Sequence, residues 1–128
     1  MTITKKAEYA IAALAELARH YGNGYLASHV IAARQGIPAN LIAQIVSRLR
    51  RAGWVDGQRG PAGGVRLVRD PSAISLAEVI ELIDGPLVIT RCLAGQGTCE
   101  NRPSCRLRGV WVRAQARLME VLRQVTIA

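Results

Sequence analysis

A mostly α-helical fold with one small β-hairpin is what this 128-residue sequence predicts, and three observations carry it. Apolar residues between Leu41 and Leu49 recur on a helical period, and the segment closes on arginines as S-R-L-R-R-A-G. The pair Trp54-Val55 and the run Val65 to Val68 flank a basic stretch rich in glycine. Towards the C-terminus, apolar residues step alternately by four and three from Leu107 to Val125. Taken in chain order, these features outline a winged helix-turn-helix with a small β-hairpin wing and a long C-terminal dimerisation helix.

Each element follows from local chemistry. Thr4 caps a first helix reaching about Tyr21, with Ala7, Ile11, Leu14, Ala18 and Tyr21 as its inward stripe. The glycines at 22 and 24 end it, Tyr25 to Ala27 is short and extended, and Ser28 caps a second helix to about Gln35. Gly36 supplies the turn between two helices, and Pro38 fits the first turn of a helix from Pro38 to Ala52 because its missing N–H is not needed there. Leu41, Ile42, Ile45, Leu49 and Ala52 fall on one side of that helix; Asn40, Ala43, Gln44, Ser47, Arg50 and Arg51 fall on the other. Trp54-Val55 then reads as a strand, Asp56-Gly57 and Gly60-Pro61 as turn signals, and Val65 to Val68 as the returning strand. Ser75 and Glu78 form a capping box for a helix to about Asp84, with Ile80 and Ile83 inward and Gly85-Pro86 as its stop. After a loop of about twenty residues, of the length that is usually functional or disordered, the chain is helical again from about Arg106. There Leu107, Trp111, Ala114, Leu118, Val121 and Val125 form a heptad seam suited to a two-fold dimer.

Composition narrows the function. The net charge is +8, and its distribution is uneven: residues 1–69 hold ten Lys or Arg against three acids, whereas residues 70–128 hold seven against six. The basic half is the half with the helix-turn-helix, which makes double-stranded DNA the expected partner. Amides near the start of the third helix, Asn40 and Gln44, suit base edges, and the arginines at its end suit phosphate. The residues expected on DNA are Lys5 and Lys6, Ser28, Asn40, Gln44, Ser47, Arg48, Arg50 and Arg51, and in the wing Arg59, Gly60, Gly63 and Arg66. An ordinary solvated helix face is the alternative, and the wing that follows at once weighs against it. No nucleophile–base pair or nucleotide-binding loop emerges, so no enzyme is expected, and His20 and His29 lack metal-ligand spacing. The longest apolar run, Tyr9 to Ala15, is too short for a bilayer, and no signal-peptide pattern is seen. A cytoplasmic protein without a membrane partner is the expectation.

The three cysteines, Cys92-x6-Cys99-x5-Cys105, lie in or beside the long loop among Gly95, Gly97, Asn101 and Pro103. An odd number of clustered thiols in a reducing compartment points to a metal, an iron–sulfur cluster or redox sensing.

The opening M-T-I-T-K-K-A-E-Y-A, the S-R-L-R-R-A-G helix, the wing R-G-P-A-G-G, the segment S-L-A-E-V-I-E-L-I-D-G, the cysteine loop and the tail V-W-V-R-A-Q-A-R-L together resemble the Rrf-type family of winged helix-turn-helix transcriptional regulators. The resemblance, to members of the IscR, NsrR and RirA types, covers essentially the whole chain. It implies a homodimeric regulator, a repressor of genes with pseudo-palindromic operators, sensing nitric oxide, iron or redox state. It further implies that Cys92, Cys99 and Cys105 hold an iron–sulfur cluster. The IscR type has a histidine three residues after the third cysteine, where this chain has Arg108. Glu8 stands where the NsrR type has an acidic ligand donated by the other subunit. A 4Fe-4S cluster with Glu8 as fourth ligand is therefore favoured over a 2Fe-2S cluster, and a regulator switched by direct thiol oxidation is the alternative. On this reading residues 1–85 form the DNA-binding region, 86–105 the cluster-binding loop and 106–128 the dimerisation helix of one structural domain.

Overall fold

A computed structural model describes residues 3–60, 63–89 and 107–128. The elements run α1 (Lys5–Arg19), α2 (Ser28–Gln35), α3 (Ala39–Arg51), β1 (Val55–Gln58), β2 (Gly64–Leu67), a 3-10 turn (Pro71–Ala73), α4 (Leu76–Asp84) and α5 (Arg108–Gln124). A mostly helical winged fold is thus what forms.

Thr4 caps α1 as expected, its hydroxyl accepting from the Ala7 amide at 3.1 Å. The buried face differs from the predicted stripe: Ala7, Ala10, Ala13, Leu14 and Leu17 go inside, Ile11 and Ala18 sit at the edge, and Tyr21 is 43% exposed. The reason is that α1 touches α2, α3, α4 and β2, so a wide arc is covered rather than one stripe.

Ser28 does not cap α2. The N-cap is Ala27, which makes no side-chain bond; its carbonyl accepts from the amides of Val30 and Ile31 at 3.0 and 3.2 Å, which makes Ser28 the first helical residue. Gly36 ends α2 in the left-handed region at φ 65°, and its amide and that of Ile37 both return to the Ala32 carbonyl. Pro38 lies one residue earlier than predicted, as the extended N-cap of α3, its carbonyl accepting from Leu41 and Ile42. The buried face of α3 is Ile42, Ile45, Val46 and Leu49, while Leu41 and Ala52 are only half-buried.

The end of α3 is a Schellman turn. Gly53 takes φ 80°, its amide donates to the Arg50 carbonyl at 3.0 Å, and the Trp54 amide donates to the Leu49 carbonyl at 3.1 Å. Leu49 and Trp54, the pair this motif brings together, are both buried. The chain therefore leaves α3 directly into the wing. β1 and β2 pair antiparallel with Val55 opposite Leu67, Asp56 opposite Arg66, Gly57 opposite Val65 and Gln58 opposite Gly64. Asp56-Gly57 is accordingly strand and not turn: the register gives Asp56 a partner in Arg66, which a local dipeptide cannot reveal. The turn lies further on, where the Gly63 amide donates to the Gly60 carbonyl at 2.9 Å. Leu26 bridges the free edge of β2 through paired bonds with Val65 of 2.8 and 2.9 Å.

Asp70 caps the 3-10 turn, and the Ser72 hydroxyl and amide hold its carboxyl below the usual aspartate range. The predicted capping box of α4 forms, Ser75 accepting from the Glu78 amide at 3.1 Å and Glu78 accepting from the Ser75 amide at 3.4 Å. Ala77, Val79 and Ile80 are buried there, and Ile83 is half-buried. Helix α5 packs Met119, with Leu118 and Leu122, onto Ala77, Ile80 and Leu87. Its inward face is thus offset from the predicted seam, and Leu107, Val121 and Val125 are 52%, 58% and 47% exposed. Beyond α5 the chain folds back: the Val125 carbonyl accepts from Leu76, and the Ile127 amide donates to Ile74 at 3.0 Å.

Glu78 links this cap to the wing. Its carboxylate lies 2.8 Å from Arg69, whose guanidinium also sits 5.3 Å from the Trp54 ring centre. The hydrogen bond from Arg69 holds the Glu78 carboxyl below the ordinary glutamate value of 4.5, outweighing the desolvation that pushes it up, and the Ser75 amide and the charge of Arg69 add to the depression. A carboxyl depressed in the folded state stabilises above its unfolded pKa and loses that contribution as pH falls through the folded value. Glu78→Gln should therefore lower stability near neutral pH by about 0.5–1 kcal/mol, the modest size expected of a partly exposed pair. Urea unfolding should show the difference shrinking as pH drops below 4.5; a gap unchanged in acid would rule out the charge as its source.

Candidate nucleic-acid interface

The exposed face of α3 is the one the helical period predicts. Asn40, Ala43, Gln44, Ser47, Arg50 and Arg51 are all exposed, and Arg48 is half-buried beside them. Arg59 and Gly60 are exposed at the wing tip, and Gly63 is half-buried; Pro61 and Ala62 lie outside the described residues. Ser28 is half-buried at the start of α2.

The basic side chains divide into two sets. Arg66 is bound to Asp56 through Nε and Nη2 at 3.1 and 2.9 Å and lies 4.9 Å from the centre of the Tyr25 ring. The Asp56 hydrogen bond, then the charge interaction with Tyr25, raises its pKa above the ordinary arginine value. Arg69 is held by Glu78, and Arg19 and Arg34 by Glu16. By contrast Lys6, Arg48, Arg50, Arg51 and Arg59, and on α5 Arg113, Arg117 and Arg123, have no acidic partner among the described residues. Four of these eight stand on α3 or the wing tip, which follow one another in the chain. Cations left unneutralised along a helix and the wing that follows it are the electrostatic footprint of a phosphate-binding surface. Of the predicted DNA residues on α3 and the wing, Arg66 is the one whose charge is already balanced within the chain.

Lys5, unlike Lys6, has an acidic neighbour of its own. The Thr4 amide and hydroxyl bond to Asp84 at the end of α4, and Lys5 sits 3.6 Å from Glu8 and 5.5 Å from the Tyr9 ring centre. Glu8 is itself 58% exposed on its side chain. Cys92, Cys99 and Cys105 lie outside the described residues, and among the described residues no group of three or more His, Cys, Asp or Glu is placed to hold a metal.

Three side chains not singled out from the sequence shape this surface. Tyr25 and Asp56 fix Arg66, and Glu16 fixes α2. The Glu16 carboxylate, 7% exposed, accepts from Gln35 at 2.7 Å and from Arg19 at 3.1 Å, and lies 3.5 Å from Arg34. A carboxylate inside an apolar stretch, three residues before an arginine, is the signal the sequence offers; that Gln35 and Arg34 meet it depends on helix packing.

A helix pair joined by a glycine turn, a free polar face on the second helix and a wing leaving it at once define a winged helix-turn-helix protein. The Rrf2 family, described as an iron-dependent transcriptional regulator, matches residues 3–128, and the chain belongs to that family. It is 35% identical over 127 residues to the HTH-type transcriptional regulator IscR of Klebsiella pneumoniae, covering 99% of this chain and 77% of that protein. The IscR of Vibrio cholerae is likewise 35% identical, over 99% of this chain and 73% of its own length. Among solved structures, CymR of B. subtilis, a global cysteine regulator, superposes with a TM-score of 0.82 at 29% identity, covering 99% of this chain and 93% of its own. IscR of T. potens superposes with a TM-score of 0.76 at 28% identity, covering 99% and 83%. The chain is a DNA-binding transcriptional regulator and not an enzyme. No helix among the described residues is long and apolar enough to cross a membrane.

Because Glu16 joins α1 to α2 while its arginines stay largely in water, Glu16→Ala should cost the hydrogen bonds without burying an unpaired charge. The expected loss is about 1–3 kcal/mol in denaturant unfolding. A change below about 0.5 kcal/mol, the range of ordinary surface substitutions, would show that α2 needs no such clamp.

Proposed function

We propose that the chain is a homodimeric repressor that reads a pseudo-palindromic operator with α3 and the wing, and whose hold on DNA is set by an iron–sulfur cluster. The observation that carries the DNA part is the set of unpaired cations, Arg48, Arg50, Arg51 and Arg59, beside the exposed amides Asn40 and Gln44. On this reading Asn40, Gln44 and Ser47 face base edges, while the arginines, with Lys5, Lys6, Ser28 and the glycines 60 and 63, sit against the backbone. Arg66 stiffens the wing through Asp56 more than it adds charge. The apolar residues exposed on α5 and at its two ends, Leu107, Val110, Val121 and Val125, supply the seam for a second copy.

The donor set fits a cluster by its chemistry. Three thiolates within one short segment are soft ligands for iron, and Glu8, exposed at the start of α1, offers a carboxylate that the partner subunit's cluster can use. A 4Fe-4S cluster suits three cysteines with one oxygen donor, and 2Fe-2S is the second choice. When bound, the group supplies redox and ligand-exchange chemistry with oxidants or nitric oxide. The chain's own contribution is to fix the residues leading towards the cysteines against α5: Gln115 accepts from the Ile89 amide at 3.0 Å and donates to the Leu87 carbonyl. The family description as iron-dependent and the name IscR among its relatives support this reading. A cytoplasmic location accords with reduced thiols.

Two outcomes follow. Anaerobically purified protein should carry iron and sulfide with visible absorption, and replacing Cys92, Cys99 or Cys105 singly with alanine should bleach it. Full iron in all three variants, or none in the parent, would leave direct thiol oxidation as the switch. On DNA, Arg51→Ala and Arg59→Ala should each flatten the log–log salt dependence by about 0.9 and weaken specific and random duplexes alike, whereas Gln44→Ala should change base preference. Unaltered affinity and slope in both arginine variants would remove α3 and the wing from the interface.

A further inference from the structure

Gly57 stands in the middle of β1, opposite Val65, and nothing in its backbone conformation requires a glycine, because its φ lies outside the left-handed region that Gly53 and Gly60 occupy. A glycine inside a strand weakens it and leaves nothing to pack, and often marks close approach of another group. That group is Arg50. A Cβ built on Gly57 would overlap Nη2 of Arg50 and lie 2.9 Å from Cζ and 3.4 Å from Nε. The guanidinium therefore rests against the bare backbone of β1 in the notch between α3 and the wing. The other close-packed wing glycines differ in kind, since a Cβ on Gly63 or Gly64 would strike the backbone of Gln58 or Leu26. At Gly57 only the movable end of a side chain stands in the way.

Arg50 is prepared in other respects. The Schellman turn at Gly53 uses the Arg50 carbonyl, so the backbone beneath the side chain is fixed relative to β1. Arg50 is exposed, has no acidic partner among the described residues and makes no side-chain hydrogen bond to them, leaving its five N–H donors open. A planar guanidinium resting on a peptide surface with its donors free is arranged for bidentate capture of a phosphate. It loses less rotamer freedom on binding than a side chain waving in water.

We propose that Gly57 is a positioning residue for DNA binding: its missing side chain lets Arg50 lie across the wing strand and present its guanidinium to a backbone phosphate in the notch between α3 and the hairpin. The proposal rests on the reading of α3 and the wing as the DNA-contacting face.

The test is a double-mutant cycle on the full chain, with mixed-sequence duplex DNA as probe and affinity measured across a salt series. Phosphate contacts supply nonspecific binding, so no operator is needed. Gly57→Ala should keep the parent's urea midpoint or raise it, because alanine loses less backbone freedom in a strand than glycine and only a side-chain end is displaced. It should weaken binding about two- to tenfold, the effect of freeing one long side chain, and flatten the salt slope towards that of Arg50→Ala. In the Arg50→Ala background the same substitution should do nothing more. If Arg50→Ala weakens binding while Gly57→Ala leaves affinity and slope unchanged, the positioning role is wrong and the DNA face stands. An equal loss from Gly57→Ala in both backgrounds would mean a distorted wing and would also overturn it. If Arg50→Ala itself changes neither quantity, the phosphate contact at this notch is wrong, and the proposal falls with it.

Discussion

Alanine at positions 7, 10 and 13 sets how near the rest of the chain comes to α1, and the arrangement of the other elements depends on that distance. All three are fully buried, and α1 is met by α2, α3, α4 and β2. Helix separation follows the size of the side chains at the contact. With methyl groups on its buried face, α1 lets α2, α3, α4 and β2 come close, and the larger Leu14 and Leu17 join Ile31, Ile45 and Leu49 in one core. Longer side chains at the alanine positions would push these neighbours apart, and overpacking a filled core costs about 1–3 kcal/mol.

On that base the reading surface is held by polar contacts of short reach. Glu16 fixes the far end of α2, the Gly36 turn sets the angle to α3, and the Gly53 turn sets the angle from α3 to the wing. Arg69 then ties the end of the wing, through Glu78, to the capped start of α4. None of these devices uses a residue proposed to touch a base edge. Helix α5 is a separate attachment: Met119 and its neighbours form a second, smaller core with α4, and the fold-back from Val125 to Ile127 fastens its end to Ile74 and Leu76. The exposed apolar side chains of α5 are left over after that attachment is made.

How much of the fold and the interface is legible in the sequence depends on the range of the interaction. The outer face of α3 can be read because helical period and charge coincide there, and the caps at Thr4 and Ser75 because a cap is a four-residue motif. Asp56-Gly57 favours a turn locally, while its strand role comes from pairing with Arg66 and Val65 ten and eight residues on. The stripe expected on α1 is too narrow because a single period cannot anticipate a helix covered from several sides. Of the seam on α5, Leu118 packs inside while Leu107, Val121 and Val125 are left exposed, so heptad spacing alone cannot separate the chain's own core from a surface for a second copy. Glu16 with Gln35, and Ile74 with Ile127, join elements whose meeting no local pattern announces. The cysteines, the strongest chemical signal in the sequence, fall outside the described residues.

The outer face of α3 has one more property. Asn40, Gln44 and Ser47 are exposed and make no side-chain hydrogen bond to any other described residue. Exchanging such side chains shifts folding free energy by no more than about 0.5 kcal/mol, whereas a base-edge contact is worth about 1–3 kcal/mol of discrimination. Sequence preference can therefore drift through many neighbouring variants at nearly constant stability. A lineage of such regulators can acquire new target genes by changing a few surface side chains, with the scaffold that aims them left as it is.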